Sequence, residues 1–245
     1  MNTGPFRALI RKDIVEALRI GGLHIAMSIL GALGFALIPV MTSLRPSHMR
    51  GVEASAYRTA LRAATSMQMP LLVLCIMMLA GNSIVSTLMT REKTRKTMIP
   101  ILCSGVTPKT VWAAKVAAVF VVTYIVACLA LALYVGGLSI IWRGPILPAA
   151  KWAVVSLVCA PLVSLASFGV TGIVIMLYTR AWYVSLLLSV SPFLLASGWY
   201  IILGTQHHMR LFAVSSAVCL AIIALCWAFA AIAPRERVSG VLEWD

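Results

Sequence analysis

Long apolar runs alternate with short polar segments along the whole chain. About 20 apolar residues suffice to cross the hydrocarbon core of a bilayer as a helix. Six runs meet that length, with predicted bounds 21–44, 66–90, 114–141, 150–178, 182–203 and 211–233. The pattern predicts an all-α integral membrane protein with a single six-helix transmembrane domain, 21–233, and a cytoplasmic tail, 234–245.

The first 20 residues have a helical period of their own. Their apolar residues share one helical face: Phe6, Leu9, Ile10, Ile14, Ala17 and Leu18. The opposite face is charged: Arg11, Lys12, Glu16 and Arg19. Asp13 interrupts the apolar face. This pattern predicts an amphipathic helix over 1–20 at the cytoplasmic membrane surface, although a plain cytoplasmic leader remains an alternative.

Composition supports the bilayer as the solvent. The chain is 61% hydrophobic and 11% charged, with a mean hydropathy of +0.98. Soluble domains carry about 25% charged residues. The net charge of +13 does not indicate nucleic acid, because the basic residues lie beside the predicted spans instead of forming one basic face.

The distribution of basic residues predicts the topology. With six spans both termini lie on one side, and that side carries 13 of the 20 Lys and Arg residues. Basic residues are enriched in cytoplasmic segments, so we expect both termini in the cytoplasm.

Residues for catalysis or metal binding are sparse. The motifs HExxH, GxSxG and GxxxxGK[ST] are absent, so we expect no catalytic site and no nucleotide site on this chain. Six cysteines show no CxxC spacing, and His207 and His208 have no nearby third ligand, so no metal site is predicted. All seven acidic residues fall outside the predicted spans: Asp13, Glu16, Glu53, Glu92, Glu236, Glu243 and Asp245. Transporters driven by an ion gradient usually carry an intramembrane carboxylate, so this placement disfavours that class.

Four prolines fall within or at the edge of predicted spans: Pro39, Pro70, Pro161 and Pro192. A proline inside a helix frees the backbone carbonyl four residues earlier. The sequence therefore predicts local bends at these positions.

The segment between the second and third spans, 91–110, is too apolar for a solvated loop. A charged start is followed by Met98, Ile99, Ile101 and Leu102, then by a turn at Ser104–Gly105. Thr107 precedes Pro108 as an N-cap would. The pattern predicts a short helix docked at the membrane surface. The alternative is a basic loop that only sets topology.

This segment resembles that of the permease subunits of the type-2 ABC exporter family. In that family the second and third spans are joined by E-x-x-x-G-T, an apolar stretch, P-V-S and a lysine that opens the third span. The residues in register here are Glu92, Thr97, Ile101, Leu102, Val106, Thr107 and Lys115. Two positions depart from the pattern, since Lys96 replaces the glycine and Gly105 the proline.

The resemblance implies a permease that moves an amphipathic or lipid-like substrate. It also implies a dimer with a second copy or a homologous permease, and two separate ATPase subunits that bind ATP and Mg²⁺. The residues expected to contact an ATPase subunit are Glu92, Lys93, Arg95, Thr97, Ile101, Leu102, Arg11 and Lys12. Two other functions remain open from the residues alone: a membrane scaffold or sensor that recruits a partner or anionic lipid, and a gradient-driven secondary transporter.

Overall fold

The computed structural model describes residues 4–43, 54–141, 150–178, 187 and 208–233, and the described residues contain no β-strand. The helices are α1 (Gly4–Ser43), α2 (Ala54–Thr94), α3 (Met98–Cys103), α4 (Pro108–Ile141), α5 (Ala150–Val154), α6 (Ala160–Leu177) and α7 (His208–Ile232). A π-helical turn, Val155–Cys159, joins α5 to α6. The all-α prediction is confirmed.

Five helical segments are long and apolar enough to cross a membrane. They are Phe6–Gly34, Gln68–Thr94, Pro108–Ile140, Ala150–Leu177 and Val214–Ile232. Each overlaps one predicted span. The remaining span, 182–203, lies outside the described residues apart from position 187, so the count of six stays a prediction.

The first helix differs from the prediction of a separate surface helix over 1–20. α1 runs for 40 residues without a break, so the leader and the first span are one helix. Gly21 and Gly22 follow the predicted boundary between the leader and the first span, and both lie within α1. Gly21 packs closely against Ile84 of α2. At 1.5 Å per residue α1 is about 60 Å long, twice the thickness of the hydrocarbon core. Part of it therefore extends beyond the membrane.

Helix α2 is the centre of the bundle. It packs against α1, α4 and α6, and α6 packs in turn against α7. Gly81 of α2 faces the ring of Phe168 so closely that a β-carbon there would overlap the ring. Gly172 and Gly169 of α6 likewise receive the Trp112 side chain of α4. Glycines therefore make room for large side chains of neighbouring helices in the described core.

Pro161 frees a backbone carbonyl in the helical segment Ala150–Leu177. Pro161 leaves the carbonyl of Leu157 without its helical donor. That carbonyl lies in the π-helical turn and accepts a hydrogen bond from the Tyr124 hydroxyl at 3.2 Å. A side chain of α4 thus satisfies the carbonyl that the proline frees.

Candidate functional site: the 91–110 segment and its ion cluster

The segment 91–110 begins with a tightly closed helix end. The Thr97 N–H donates to the Glu92 carbonyl at 3.0 Å, and the Lys96 N–H donates to the Lys93 carbonyl at 3.0 Å. These two bonds form a Schellman motif, in which the residue after the helix adopts a left-handed conformation. Lys96 has that conformation, with φ of 56°. Glycine is preferred at such a position because a side chain there is strained.

After this end the chain forms the short helix α3, where the sequence predicts one. Met98 and Leu102 are buried, so α3 lies against the bundle. Gly105 turns the chain with φ of 84°. Thr107 then caps α4, accepting a hydrogen bond from the Thr110 N–H at 3.3 Å. The turn and the N-cap agree with the prediction.

An ion cluster connects this segment to two other helices. The Lys115 ammonium of α4 lies 2.8 Å from Glu92 Oε2 and 3.3 Å from Asp13 Oδ1 of α1. Lys12, also from α1, lies 2.7 Å from Glu92 Oε1. Asp13, Glu92 and Lys115 are at most 4% exposed. We call these four residues the ion cluster.

Burial makes the ion cluster a sensitive element. Moving charged groups out of water costs several kcal/mol for each ion, and close opposite charges offset that cost. Glu92 has two ammonium partners, whereas Asp13 shares one of them and its Oδ2 has no hydrogen-bond partner among the described residues. Removing Lys115 would leave Asp13 without its ion-pair partner and Glu92 with Lys12 alone.

Two of the carboxylates that the sequence places outside the spans, Asp13 and Glu92, are buried among the helices. Each lies toward one end of its helix, because α1 begins at Gly4 and α2 ends at Thr94. Lysines on neighbouring helices compensate these charges. The position of the two carboxylates outside the hydrocarbon core therefore stays a prediction.

The predicted ATPase-contact residues occupy two kinds of environment. Glu92, Lys93 and Leu102 are buried within this chain, and Ile101 is half-buried. The exposed members are Arg95, Thr97, Arg11 and Lys12, whose side chain is 49% exposed. The exposed members are available to a partner, whereas the buried ones hold the segment in place.

Two members of the ion cluster were not predicted as site residues. The sequence pattern marks Lys115 only as the start of the third span, and Asp13 only as an interruption of an apolar face. That interruption was the usable signal, because a buried carboxylate requires a partner. The identity of the partner depends on tertiary structure.

The start of α4 has a second connection. The ammonium of Lys109 lies 4.0 Å from the ring centroid of Trp227 in α7, and Trp227 packs edge-on against Trp112 at 6.0 Å. The Trp112 indole N–H donates to the Gly169 carbonyl at 3.1 Å. The helix that follows the segment is thereby joined to both α6 and α7.

A neutral polar cluster lies deeper in the bundle. The Asn82 amide donates to Ser167 Oγ at 3.0 Å and accepts from Thr171 Oγ1 at 2.9 Å. All three residues are buried. Such bonds are expected between helices in lipid, where no water can replace them. We call these three residues the amide cluster.

Metal binding is not indicated by the geometry. Carboxylate oxygens of Asp13, Glu16 and Glu92 lie within 4.8 Å of one another. The ammonium groups of Lys12 and Lys115 already contact two of these carboxylates. A metal ion would have to displace them. The other candidate, His207 and His208, is not described at the level of side chains.

Comparisons of the chain with protein-family models, with curated proteins and with solved structures give no match.

Proposed function

We propose that this chain is the membrane-spanning permease subunit of an ATP-driven ABC exporter, and that 91–110 contacts a separate ATPase subunit. The observation that carries the proposal is the helix end at Glu92–Thr97. The E-x-x-x-G-T pattern of type-2 permeases corresponds to a Schellman motif here, with Glu92 as carbonyl acceptor and Thr97 as donor. Lys96 takes the left-handed conformation at the position where that family has glycine.

The ion cluster supports a mechanical role for this segment. Glu92 ends the second span, and its carboxylate contacts Lys115 near the start of the third span and Lys12 in the first helix. A force on the segment would thus reach α1, α2 and α4 together. Two of these positions, Glu92 and Lys115, are the charged positions of the family pattern.

The exposed surface of the segment supports contact with an acidic or polar partner. Arg91, Arg95, Lys96 and Thr97 are exposed around the end of α2. Arg11 is exposed on α1. Basic residues around a docked helix favour a partner surface of opposite charge. In this proposal the partner is an ATPase that carries ATP and Mg²⁺, present in two copies.

The proposed permease acts as a dimer with a second copy or a homologous chain. It lies in a bacterial inner membrane with both termini in the cytoplasm. An amphipathic or lipid-like substrate suits the apolar described surface, which offers exposed leucine, isoleucine and valine side chains along α1, α4 and α7.

The direct test is copurification in mild detergent. We expect a Mg²⁺-dependent ATPase, identified by mass and by its activity, to copurify with the wild-type chain. Arg95→Glu should weaken this association, because it reverses an exposed charge of the segment. Arg62→Glu is the matched control, since Arg62 is an exposed arginine about 50 Å away along α2. Absence of an ATPase, or equal loss in both variants, would contradict the proposal.

A gradient-driven transporter is the second candidate, favoured by the buried Asp13, whose Oδ2 has no hydrogen-bond partner in the described part of the chain. Ionisable groups buried among spans often mark ion pathways. Substrate flux into vesicles that hold only this chain and an ion gradient, without ATP, would favour this candidate over the exporter.

A further inference from the structure

One face of α1 is open along much of its length. Of the most apolar window of this helix only 17% of residues are buried, against 72% for α2. The buried positions follow the helical period and face α2 and α4: Asp13, Ala17, Gly21, Ser28 and Ala32. The opposite face contacts none of the described helices closely enough to be buried.

This open face changes from basic to apolar along its length. Arg19 is exposed, and the exposed residues above it at helical spacing are Leu23, Met27 and Leu30, which are 64–74% exposed. The spacings of four, four and three residues place these side chains along one side of the helix. We call Arg19, Leu23, Met27 and Leu30 the α1 stripe.

The length of the α1 stripe matches one leaflet of a bilayer. Eleven residues separate Arg19 from Leu30, which corresponds to about 16 Å along the helix. Half of a hydrocarbon core of about 30 Å is 15 Å. A lipid whose phosphate lies at Arg19 would therefore extend its acyl chain past Leu23 and Met27 to the region of Leu30.

The positive charge of Arg19 has little compensation from the carboxylates of the described residues, which are Asp13, Glu16 and Glu92. The sequence contains no Asp or Glu between Glu92 and Glu236. Glu16 lies one turn before Arg19, but a carboxylate oxygen of Glu16 is within 4.8 Å of oxygens of Asp13 and Glu92. It therefore faces the ion cluster. Exposed arginines continue along α1 at Arg7 and Arg11.

We propose that the α1 stripe is a binding site for an anionic phospholipid, with the phosphate at Arg19 and one acyl chain along Leu23, Met27 and Leu30. An anionic headgroup is attracted by juxtamembrane basic residues, each of which contributes a roughly fivefold preference. The apolar part of the site binds the acyl chain of any phospholipid. This inference does not depend on the proposed exporter function.

The test is native mass spectrometry of the full chain in detergent, with phosphatidylglycerol and phosphatidylcholine added separately. Wild type should retain phosphatidylglycerol preferentially. Arg19→Gln should reduce that preference about fivefold, whereas Arg19→Lys should preserve most of it. Arg62→Gln is the control, because the positions one turn above Arg62, Thr65 and Ser66, are buried and polar and offer no acyl track.

Three results would overturn the proposal. The first is equal retention of both lipids by wild type, and the second is an unchanged lipid preference in Arg19→Gln. The third is a shift between monomer and dimer in Arg19→Gln or Met27→Ser without a change in lipid retention, which would assign the α1 stripe to contact with a second copy. Met27→Ser should instead weaken retention of both lipids, because it removes apolar contact with the acyl chain.

Discussion

Each of the two polar clusters contains one buried residue of α2, Glu92 in the ion cluster and Asn82 in the amide cluster. The clusters differ in charge and in position. Glu92 of the ion cluster is ten residues beyond Asn82 of the amide cluster, or about 15 Å along the helix. The ion cluster adjoins the 91–110 segment and joins α1, α2 and α4. The hydrogen bonds of Asn82 with Ser167 and Thr171 join α2 to α6. Charge is thus placed at the end of the bundle, and neutral hydrogen bonding inside it.

The difference reflects the cost of each group in a medium without water. An amide and two hydroxyls satisfy one another, so their removal costs only the bonds they make. A buried carboxylate and ammonium are stable only as a set, because either one alone is an uncompensated charge. Loss of a buried member should therefore cost more in the ion cluster than in the amide cluster.

The largest effect is expected for Lys115→Met. The ammonium of Lys115 contacts both Asp13 and Glu92, and its removal leaves buried carboxylates without that charge. We expect the free energy of unfolding to fall by about 3–5 kcal/mol. Lys12→Met is the control, because the Lys12 side chain is 49% exposed and its loss should cost about 1 kcal/mol or less. Equilibrium unfolding in detergent measures both, and similar losses would contradict the role of Lys115.

A smaller effect is expected for Asn82→Ala. This change removes the hydrogen bonds to Ser167 and Thr171 but leaves no charge behind. Hydrogen bonds between transmembrane helices contribute about 0.6 kcal/mol on average and about 1.7 kcal/mol at most. Two such bonds predict a loss of about 1–3 kcal/mol in the same unfolding assay. A loss greater than that of Lys115→Met would reverse the comparison.

The smallest effect is expected next to the ion cluster, at Lys96. Lys96→Gly should stabilise the chain relative to Lys96→Ala by about 1 kcal/mol, because only glycine adopts a φ of 56° without strain. Both variants remove the same charge, so their difference isolates the backbone. Equal stability of the two variants would show that the Schellman motif at the end of α2 does not form.

Much of the fold could be predicted from the sequence, because span length and apolar period are local properties. The positions of five helices and the Thr107 cap follow from such signals. The unbroken α1 could not be predicted, since the charged residues at its start resemble a surface helix until Asp13 is paired with Lys115. That pairing joins positions 102 residues apart.

For the same reason, the sequence predicts which residues form the candidate site but not which of them are buried. The residues of 91–110 were identified by a pattern within one segment, but their division into exposed and buried members depends on α1 and α4. Glu92 illustrates the limit, because its sequence position indicates contact with a partner protein whereas its side chain contacts Lys12 and Lys115 of this chain. We therefore assign it a positioning role in the proposed exporter.

The most direct test of the exporter account is ATP hydrolysis by the purified membrane complex in nanodiscs, comparing wild type with Glu92→Gln at matched assembly. Glu92 is only 4% exposed, so its removal should not break the contact with the ATPase but should loosen the connection of 91–110 to Lys12 and Lys115. The account predicts that turnover falls sharply while the complex stays intact. Unchanged turnover in an intact Glu92→Gln complex, or a wild-type preparation without any ATPase, would contradict it.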